Sequence, residues 1–530
     1  MKSPAKRGSR YLAGWVSLLI GASFSRHVHG QSVPTGGVVT SGNAVIETAG
    51  DHALAIRQQS ARSVIRWQDF SIAQGARVDF HQPGRDAATL NIVDGNSVST
   101  LAGTLTADGS VFLVNRNGIA ITPDGLIDVR GGFVASTLSI SEEDFMSGRF
   151  LFNGRGGVVA NQGTIRTGDG GIVALLGSSV RNDGYISAPL GKIAFGAGER
   201  MTLDLNGDGF LQVLLPTELA EDAALVDHSG RIDAPGGSVV LKAEAVRKAW
   251  RDVVNVPGEI RATSVSSQNG RIVLSSGSGD VRVSGTLDVS AEQGAERAGT
   301  IDITGENVTL AGATLDATAP LEGGRIRIGG EFQGGKPGST DSPHAARFGS
   351  TEDQPSLASS TTTTIDAASV IDVSATGENG RGGSVVLWSG ENTRMHGALR
   401  ATGEASGGAV EISSAAQVQS VALNRVELGK GGLLLLDPKD IQIDGYGSGP
   451  DGSIDFGTDP SGTTHLNTDD LVNLLSAGTN VALRASNDIY WDATDRLQVK
   501  VERPAPDTPA GNLELIAGRS VTLDGTFETG

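Results

Sequence analysis

A short phrase that recurs every 27–28 residues constrains the fold of this chain most strongly. The phrase is a small residue, any residue, Ile or Leu, a polar residue and usually Ala or Val. From the fifth instance onward its starts lie 28, 27, 28, 56 and 28 residues apart. The instances begin at Gly103, Gly125, Gly163, Gly184, Gly230, Gly258, Gly285, Ala313, Ser369 and Gly397. A constant period in this range is typical of a solenoid, whose units bury their apolar faces against one another.

Each period contains three such strand phrases. One turn consists of residues 270–274, 279–283 and 285–289, each alternating apolar with polar side chains. The composition agrees, because 75 of 530 residues are Gly and only 4% are aromatic. Gly supplies tight turns and β-branched residues suit pleated strands. We therefore predict an all-β chain that forms a triangular β-helix.

Two segments interrupt the repeat. Residues 334–364 are rich in Ser, Thr, Pro and Gly, and we predict that they form a long, mobile loop inserted into one turn. Residues 218–227 carry Ala and Leu and are interpreted as a short helical excursion.

The repeat loosens after Gly432. Residues 468–478 predict a helix in which Thr468 is the N-cap, Asp469 and Asp470 favour the positive helix start, and Gly478 ends the helix. Strand phrases then resume at 481–483, 513–515 and 521–523. Residues 431–530 are accordingly a further repeat region that contains one helix.

The first 30 residues have the pattern of a signal peptide. A basic start precedes an apolar run over residues 11–24, and Val28 and Gly30 place cleavage before Gln31. The basic residues are Lys2, Lys6, Arg7 and Arg10. The run is shorter than the roughly 20 residues that a membrane-spanning helix needs. The chain is thus expected to be exported without a stable membrane span.

The charge balance disfavours nucleic acid as a partner. The chain carries 42 basic and 60 acidic residues, a formal net charge of −18. Such a surface repels a phosphate backbone. The chain has no Cys, so its stability must come from packing and hydrogen bonds.

Residues 31 to about 290 resemble the secretion domain of two-partner-secretion exoproteins of the filamentous haemagglutinin type. The segment from Asn91 to Gly95 is similar to the family's Asn-Arg-Val-x-Gly motif. The segment Asn115-Arg-Asn117-Gly118-Ile119 is similar to its Asn-Pro-Asn-Gly-Ile motif, with Arg116 where the family usually has Pro. Further matching segments are 133–137, 144–145, 150–152, 161–163 and 182–184.

This resemblance implies a right-handed parallel β-helix with an N-terminal cap and short hairpin or strand elements outside the helix. It divides the chain into a signal peptide (1–30), a secretion domain (31–290), continuing repeats (291–430) and the looser region 431–530. It implies a secreted or cell-surface protein that is not an enzyme and needs no cofactor. Its export partner would be an outer-membrane β-barrel transporter with periplasmic recognition domains.

Two roles are open for the motif residues Asn91, Gly95, Asn115, Asn117 and Gly118, with Ile119 beside them. Asn and Gly tolerate left-handed backbone and cap turns, so the motifs can be structural turns whose loss impairs export indirectly. Alternatively, their side chains contact the transporter directly.

Two other patterns have residue types that occur in metal or catalytic sites. Residues 204–209 match the opening of a calcium loop, but Leu215 stands where a bidentate Glu is required, which favours a polar turn. Outward Asp residues recur in the phrase, yet Arg261 and Arg400 take the same place in other turns, which favours a solvated face over catalysis. Those Asp residues are Asp233, Asp288, Asp316 and Asp372.

The leading hypothesis is a secreted exoprotein whose shaft serves adhesion to a host or neighbouring cell through an unidentified receptor. One alternative is the stem of a contact-dependent growth inhibition toxin. Another is a β-helical enzyme that acts on polysaccharides.

Overall fold

The computed structural model describes residues 32–205, 210–215, 225–245, 252–292, 294–349, 357–444, 463–492, 499–501, 509–525 and 527–529. The predicted signal peptide and the centre of the calcium-like loop, 206–209, lie outside these residues.

Three long sheets wind around one core as a right-handed parallel β-helix, which confirms the predicted fold class. Sheet A contains Val38–Ser41, Arg62–Trp67, Ala88–Val93, Ser110–Val114, Gly132–Ser136, Ile172–Gly177, Lys192–Ala197, Ser238–Ala243, Arg271–Ser276, Thr300–Thr304, Arg325–Ile328, Ser384–Leu387, Ala409–Ser413, Leu433–Asp437, Asn480–Ala485 and Leu513–Ala517. Sheet B contains Ala44–Thr48, Ala53–Gln58, Arg77–His81, Thr104–Ala107, Leu126–Val129, Thr164–Thr167, Tyr185–Ser187, Arg231–Asp233, Glu259–Arg261, Thr286–Asp288, Thr314–Asp316, Val370–Asp372, Ala398–Arg400 and Val426–Glu427. Sheet C contains Ser99–Leu101, Ile119–Ile121, Val158–Asn161, Ser179–Asn182, Val226–His228, Asp252–Val256, Asp280–Val283, Asn307–Leu310, Thr362–Ile365, Asn392–Met395 and Gln417–Val421.

Smaller elements lie outside these sheets. An antiparallel sheet contains Phe150–Asn153, Arg200–Leu203 and Leu211–Leu215, and a parallel sheet near the C-terminal end contains Asp440–Asp444, Thr463–Asn467, Asp488–Asp492 and Ser520–Asp524. Two short pairs are Ser264–Val265 with Ala291–Glu292 and Val499–Val501 with Phe527–Thr529. The helices are Glu142–Ser147 and Thr468–Ser476, and 3-10 turns occur at Phe332–Gly335, Ser339–Asp341, Ala345–Phe348 and Leu423–Arg425.

The repeated phrase builds sheet B, and its central Ile or Leu forms a column inside the helix. Ile232, Ile260, Leu287, Leu315, Ile371 and Leu399 pair in register from turn to turn and are all fully buried. The small first residue is required by the close approach of successive corners. A Cβ on Gly285 would lie 1.9 Å from the carbonyl oxygen of Gly258.

Sheet A is buried on both faces over much of its length. Its inward side chains join the main core, while outward residues such as Phe112, Val134 and Val240 pack under the first helix and the antiparallel sheet. Strands buried on both faces need nearly continuous apolar sequence. This explains runs such as those in Ser110–Val114 and Ile172–Gly177.

The insertion predicted at 334–364 is present, except that its last residues belong to the strand Thr362–Ile365 of sheet C, and its mobility stays a prediction. Thr314–Asp316 pairs directly with Val370–Asp372, so the insertion does belong to a single turn. Its first half, however, folds into three 3-10 turns, and Phe332 and Phe348 are buried against Trp388 on the outer face of sheet A. Residues 350–356 lie outside the described residues.

The two helix predictions also need correction. The C-terminal helix is present as Thr468–Ser476, but its N-cap is Asn467, whose side chain accepts from the backbone N–H groups of Asp469 and Asp470. In the segment 218–227 predicted as helical, residues 218–224 lie outside the described residues, and 226–227 belong to the strand Val226–His228.

Candidate secretion site

The two motifs suggested by the sequence occupy neighbouring corners of the β-helix. The first motif (91–95) lies at the end of Ala88–Val93, and the second motif (115–119) begins directly after Ser110–Val114. These strands pair in parallel, with Asn91 opposite Leu113. Each motif therefore starts on sheet A, and the two corners stack on each other.

Asn115 organises the second corner from a fully buried position. Its side-chain Nδ2 donates to the carbonyl oxygen of Ser97 and to the hydroxyl of Ser99, both at 2.9 Å. Its Oδ1 accepts from the backbone N–H of Asn117 at 3.0 Å. An amide is the one short side chain that supplies both donors and acceptor here.

Asn117 joins the two motifs. Its Nδ2 donates to the carbonyl oxygen of Gly95 at 2.8 Å and also contacts Oδ1 of Asn115 at 3.0 Å. The chain then turns through Gly118, whose φ of 130° lies in the region that favours glycine. The backbone N–H of Gly118 closes the turn on the carbonyl oxygen of Asn115 at 3.1 Å.

Gly95 is buried where two backbone segments approach closely. A Cβ at this position would lie 2.0 Å from the carbonyl oxygen of Gln68, so no larger residue fits without backbone movement. This requirement is steric, and it explains why the first motif ends in glycine.

Asn91 points into the core and is fully buried. The indole Nε1 of Trp67 donates to its Oδ1 at 3.0 Å, and its Nδ2 donates to the carbonyl oxygen of Phe112 at 3.2 Å. Ile119 is also inward, paired in register between Ser99 and Val159. In the folded domain neither residue can touch a partner.

The solvent side of the corner includes Arg116, which belongs to the second motif, and two Val residues that the motif comparison missed. Arg116 is exposed, and the side chains of Val98 and Val158 are 46% and 48% exposed. A Cβ built on Gly118 would lie 3.5 Å from the side chain of Val98 and 3.4 Å from the backbone carbonyl oxygen of Val158. In the sequence, each of these two residues is simply a Val at the end of a polar loop. That feature is too common to indicate a functional site.

An ion-pair network ties the first corner to the helix Glu142–Ser147. The Arg66 guanidinium pairs with Asp94 and, at 3.2 Å, with Glu142. The hydrogen bond to Asp94 raises the pKa of Arg66 above its ordinary value. Because Arg66 is 40% exposed, this network orients the corner more than it stabilises the fold.

The later matching segments build a buried polar column. Nδ2 of Asn161 donates to Oδ1 of Asn182 at 2.7 Å, and Nδ2 of Asn182 lies 3.0 Å from Nδ1 of His228. The other ring nitrogen of His228 lies 3.1 Å from the carbonyl oxygen of Glu259. Burial lowers the pKa of His228. The column therefore requires a neutral imidazole.

The outward Asp residues end strands of sheet B, and two of them cap the corner that follows. Oδ1 of Asp288 accepts from the backbone N–H and the hydroxyl of Ser290, at 2.9 Å and 2.6 Å. Asp316 makes the same pair of bonds to Thr318, at 2.9 Å and 2.8 Å. Asp288 also pairs with Arg261 at 3.2 Å. This arrangement suits corner capping and charge compensation.

Within the ranges that the structure describes, His, Cys, Asp and Glu form no group of three or more suited to a metal ion. In the same ranges no helix is both long and apolar enough to cross a membrane.

Comparison with known proteins gives three findings. Residues 30–289 match the family model of the TPS secretion domain. Two proteins of Haemophilus influenzae, each named heme/hemopexin-binding protein, are 32% and 33% identical over 292 and 261 residues, which cover 53% and 44% of this chain. The matched regions span only 31% and 27% of those relatives. The crystal structure of the HMW1 secretion domain from Haemophilus influenzae has a TM-score of 0.58 and 27% identity, covering 76% of this chain and 98% of that one.

Proposed function

We propose that residues 30–289, which match the family model of the TPS secretion domain, address this chain, a non-enzymatic two-partner-secretion exoprotein, to a dedicated outer-membrane transporter. The observation that carries the proposal is that the two motifs lie on neighbouring corners and are joined by the hydrogen bond from Asn117 to Gly95. Both motifs lie within residues 30–289, which match the family model.

We further propose that Asn91 and Asn115 act in export by building the corner during folding. Both side chains are fully buried, so they are accessible to the transporter only before the chain folds. Folding can then proceed by adding turns, since each turn stacks mainly on its neighbours. Addition of turns outside the cell would bias transit outward.

The corner also provides a surface for contact after or during folding. Arg116, Val98 and Val158 form its exposed side, and we propose that this side contacts the transporter while the corner folds. Two exposed Val side chains beside a cation suit a surface that binds transiently.

Signal-peptide cleavage after Gly30 and release into the medium or onto the cell surface remain part of this proposal. N-terminal sequencing of the exported protein tests the cleavage site directly. A mature chain that begins at Gln31 supports it, and any other start contradicts it.

For the shaft we propose adhesion to a host or neighbouring cell. The names of the Haemophilus influenzae relatives favour heme or hemopexin binding as a second candidate. Purified exported chain should be offered to cultured epithelial cells and, separately, to immobilised hemopexin. Saturable binding to cells alone supports adhesion, and binding to hemopexin alone supports the second candidate.

The decisive experiment measures the fraction of chain in the medium, with and without the transporter. Asn115→Ile is compared with Asn96→Ile, a matched variant at an exposed Asn on the neighbouring corner. We expect export to depend on the transporter and to be lost in Asn115→Ile only. Export without the transporter would overturn the proposal.

A second assay separates the two roles of the motif. Binding of each variant to the isolated periplasmic domains is measured alongside urea unfolding. Asn115→Ala that binds normally but unfolds more easily supports a role in folding. Loss of binding with unchanged stability would instead assign Asn115 to direct contact.

A further inference from the structure

The helix Glu142–Ser147 lies over the outer face of the first strands of sheet A. Its Phe145 is fully buried in a cluster with outward side chains of the strands beneath it. Those side chains are Val64, Leu90, Phe112 and Val134, from four successive strands. The rings of Phe145 and Phe112 meet edge to face, with centroids 5.2 Å apart. The helix therefore holds together turns that precede it in the chain.

The first turn of this helix also reaches the first strand of sheet A. Oε2 of Glu142 accepts from the hydroxyls of Thr40 and Ser41, at 2.9 Å and 3.1 Å. Its Oε1 accepts from Nη1 of Arg66 at 3.2 Å. Nε of Arg66 in turn donates to Oδ2 of Asp94, in the first motif, at 2.8 Å. One carboxylate thus links the first strand, the second strand and the first motif.

The first strand, Val38–Ser41, is lightly packed. Among the described residues it pairs along one edge only, antiparallel to Arg62–Trp67. Its side chains are exposed or half-buried, and Val38 is 61% exposed. A segment with few buried apolar contacts opens locally at low free energy. Contacts from outside the sheet, such as those of Glu142, therefore matter more for this strand than for one paired on both edges.

The contact between Glu142 and the first strand spans a long stretch of chain. Glu142 follows Thr40 by 102 residues and Ser41 by 101. Five strands of sheet A precede the helix in the chain. When a solenoid folds turn by turn from its N-terminal end, those strands form before the helix can dock. The carboxylate of Glu142 therefore reaches the first strand only after this part of the β-helix is complete.

We propose that Glu142 is a positioning residue for export, an inference that rests on the proposed function of the secretion domain. Docking of its carboxylate closes the first strand and holds Arg66 against Asp94, at the first motif. The completed turns then reopen less often, and a partly exported chain slips back toward the periplasm less easily. The Glu142 and Arg66 side chains are 31% and 40% exposed, so their ion pair acts on this local closure more than on global stability.

Glu142→Ala and Glu143→Ala form a matched pair of variants. Each removes an acidic residue from the first helical turn, but the Glu143 side chain is 89% exposed and pairs with Arg149 of its own segment. Hydrogen exchange of the purified, refolded chain is followed by mass spectrometry. Exchange of residues 38–41 should be about threefold faster in Glu142→Ala, since the loss of exposed polar contacts has an effect of this size on local opening. Glu143→Ala should exchange as the wild type does.

A second comparison tests whether the hydroxyl contacts carry the effect. The double variant Thr40→Val, Ser41→Ala lacks both donors to Glu142 and should also speed exchange of residues 38–41. Adding Glu142→Ala to it should have a smaller effect than Glu142→Ala has alone, because the two changes remove the same contact. Fully additive effects would contradict a direct link between Glu142 and the first strand.

Export is measured as the initial rate at which the chain appears in the medium from cells that have the transporter. We expect a rate about threefold lower for Glu142→Ala, in proportion to the local opening, and a normal rate for Glu143→Ala. The midpoint of urea unfolding should be the same in both variants. A normal export rate or normal exchange in Glu142→Ala would overturn the proposal.

A lower urea midpoint together with slower export would assign Glu142 a general structural role and would also overturn it. The proposed function of the domain fails on a different result, export of the wild-type chain from cells without the transporter. The two failures are therefore distinguishable, because hydrogen exchange of residues 38–41 is measured on the purified chain and does not depend on the transporter.

Discussion

Nδ2 of Asn117 donates a hydrogen bond of 2.8 Å to the carbonyl oxygen of Gly95, 22 residues earlier in the chain. This single contact joins the two motifs that define the secretion corner. Because the two motifs are joined, a substitution that disrupts either motif should impair the same corner of the β-helix.

Asn115→Ala removes the donor to Ser97 and Ser99 and the acceptor for Asn117. Loss of these hydrogen bonds at a fully buried position should lower the free energy of unfolding by about 2 kcal/mol. Urea unfolding of the purified, refolded chain measures the loss. Asn96→Ala, at an exposed position, should change it by less than about 0.5 kcal/mol. Equal effects of the two variants would refute the structural role.

Gly95→Ala should impair the same corner for a steric reason. The added Cβ would meet the carbonyl oxygen of Gln68 at 2.0 Å, and the backbone must move to relieve the clash. We expect a loss of about 2 kcal/mol in unfolding free energy and reduced export. Gly75→Ala is a less crowded comparison, with no atom within 4 Å of the new Cβ, although its φ of 78° carries some strain. Stability unaffected by Gly95→Ala would disprove the close approach.

His228 should make the secretion domain sensitive to acid. Burial lowers its pKa below the ordinary value of 6.5, so its contribution to stability is fully present above that pH. It is lost as the pH falls below 6.5, because the unfolded chain then binds a proton that the folded chain excludes. Urea unfolding between pH 7.5 and about 5 should show this dependence, and His228→Asn should reduce it. His52→Asn, at an exposed His, should leave it unchanged.

Glu411 should have the opposite effect on the insertion. Burial raises its pKa to about 8, with Asp437 opposing and Gln333, Ser413 and Lys336 favouring the charged form. Stability from this raised pKa is fully present below the ordinary value of 4.5 and is lost as the pH rises through about 8. Hydrogen exchange of residues 332–349 should therefore accelerate toward alkaline pH by more than intrinsic chemistry explains. Glu411→Gln should remove that excess, and an unchanged excess would exclude Glu411 as its source.

The inner columns should respond as a packed core does. Leu315→Ala empties a fully buried position between Leu287 and Ile371 and should cost about 3 kcal/mol in the free energy of unfolding. Thr314→Ala, next to it but exposed on the same strand, should cost much less. Calorimetric or urea unfolding of the two variants gives the comparison. A small effect of Leu315→Ala would mean that the column is loosely packed.

The sequence alone determined the β-helix, the order of its turns and the position of the two motifs. Those features are local, because a period of 27–28 residues and an alternation of apolar with polar side chains can be read along the chain. The strand phrases containing Ile260, Leu287 and Leu315 could be aligned before their pairing was known. The helix after Thr463–Asn467 was also foreseeable, although its N-cap, Asn467, was not.

Tertiary structure alone decided which polar residues are buried and what covers sheet A. Asn161, Asn182 and His228 form one column only because three successive turns place them in register. Residues 332–349 pack on sheet A because Phe332 and Phe348 are buried against Trp388. No local sequence pattern predicts that contact. Contacts between residues far apart in sequence depend on how each turn is rotated about the helix axis. The pattern of residues along the chain does not specify that rotation.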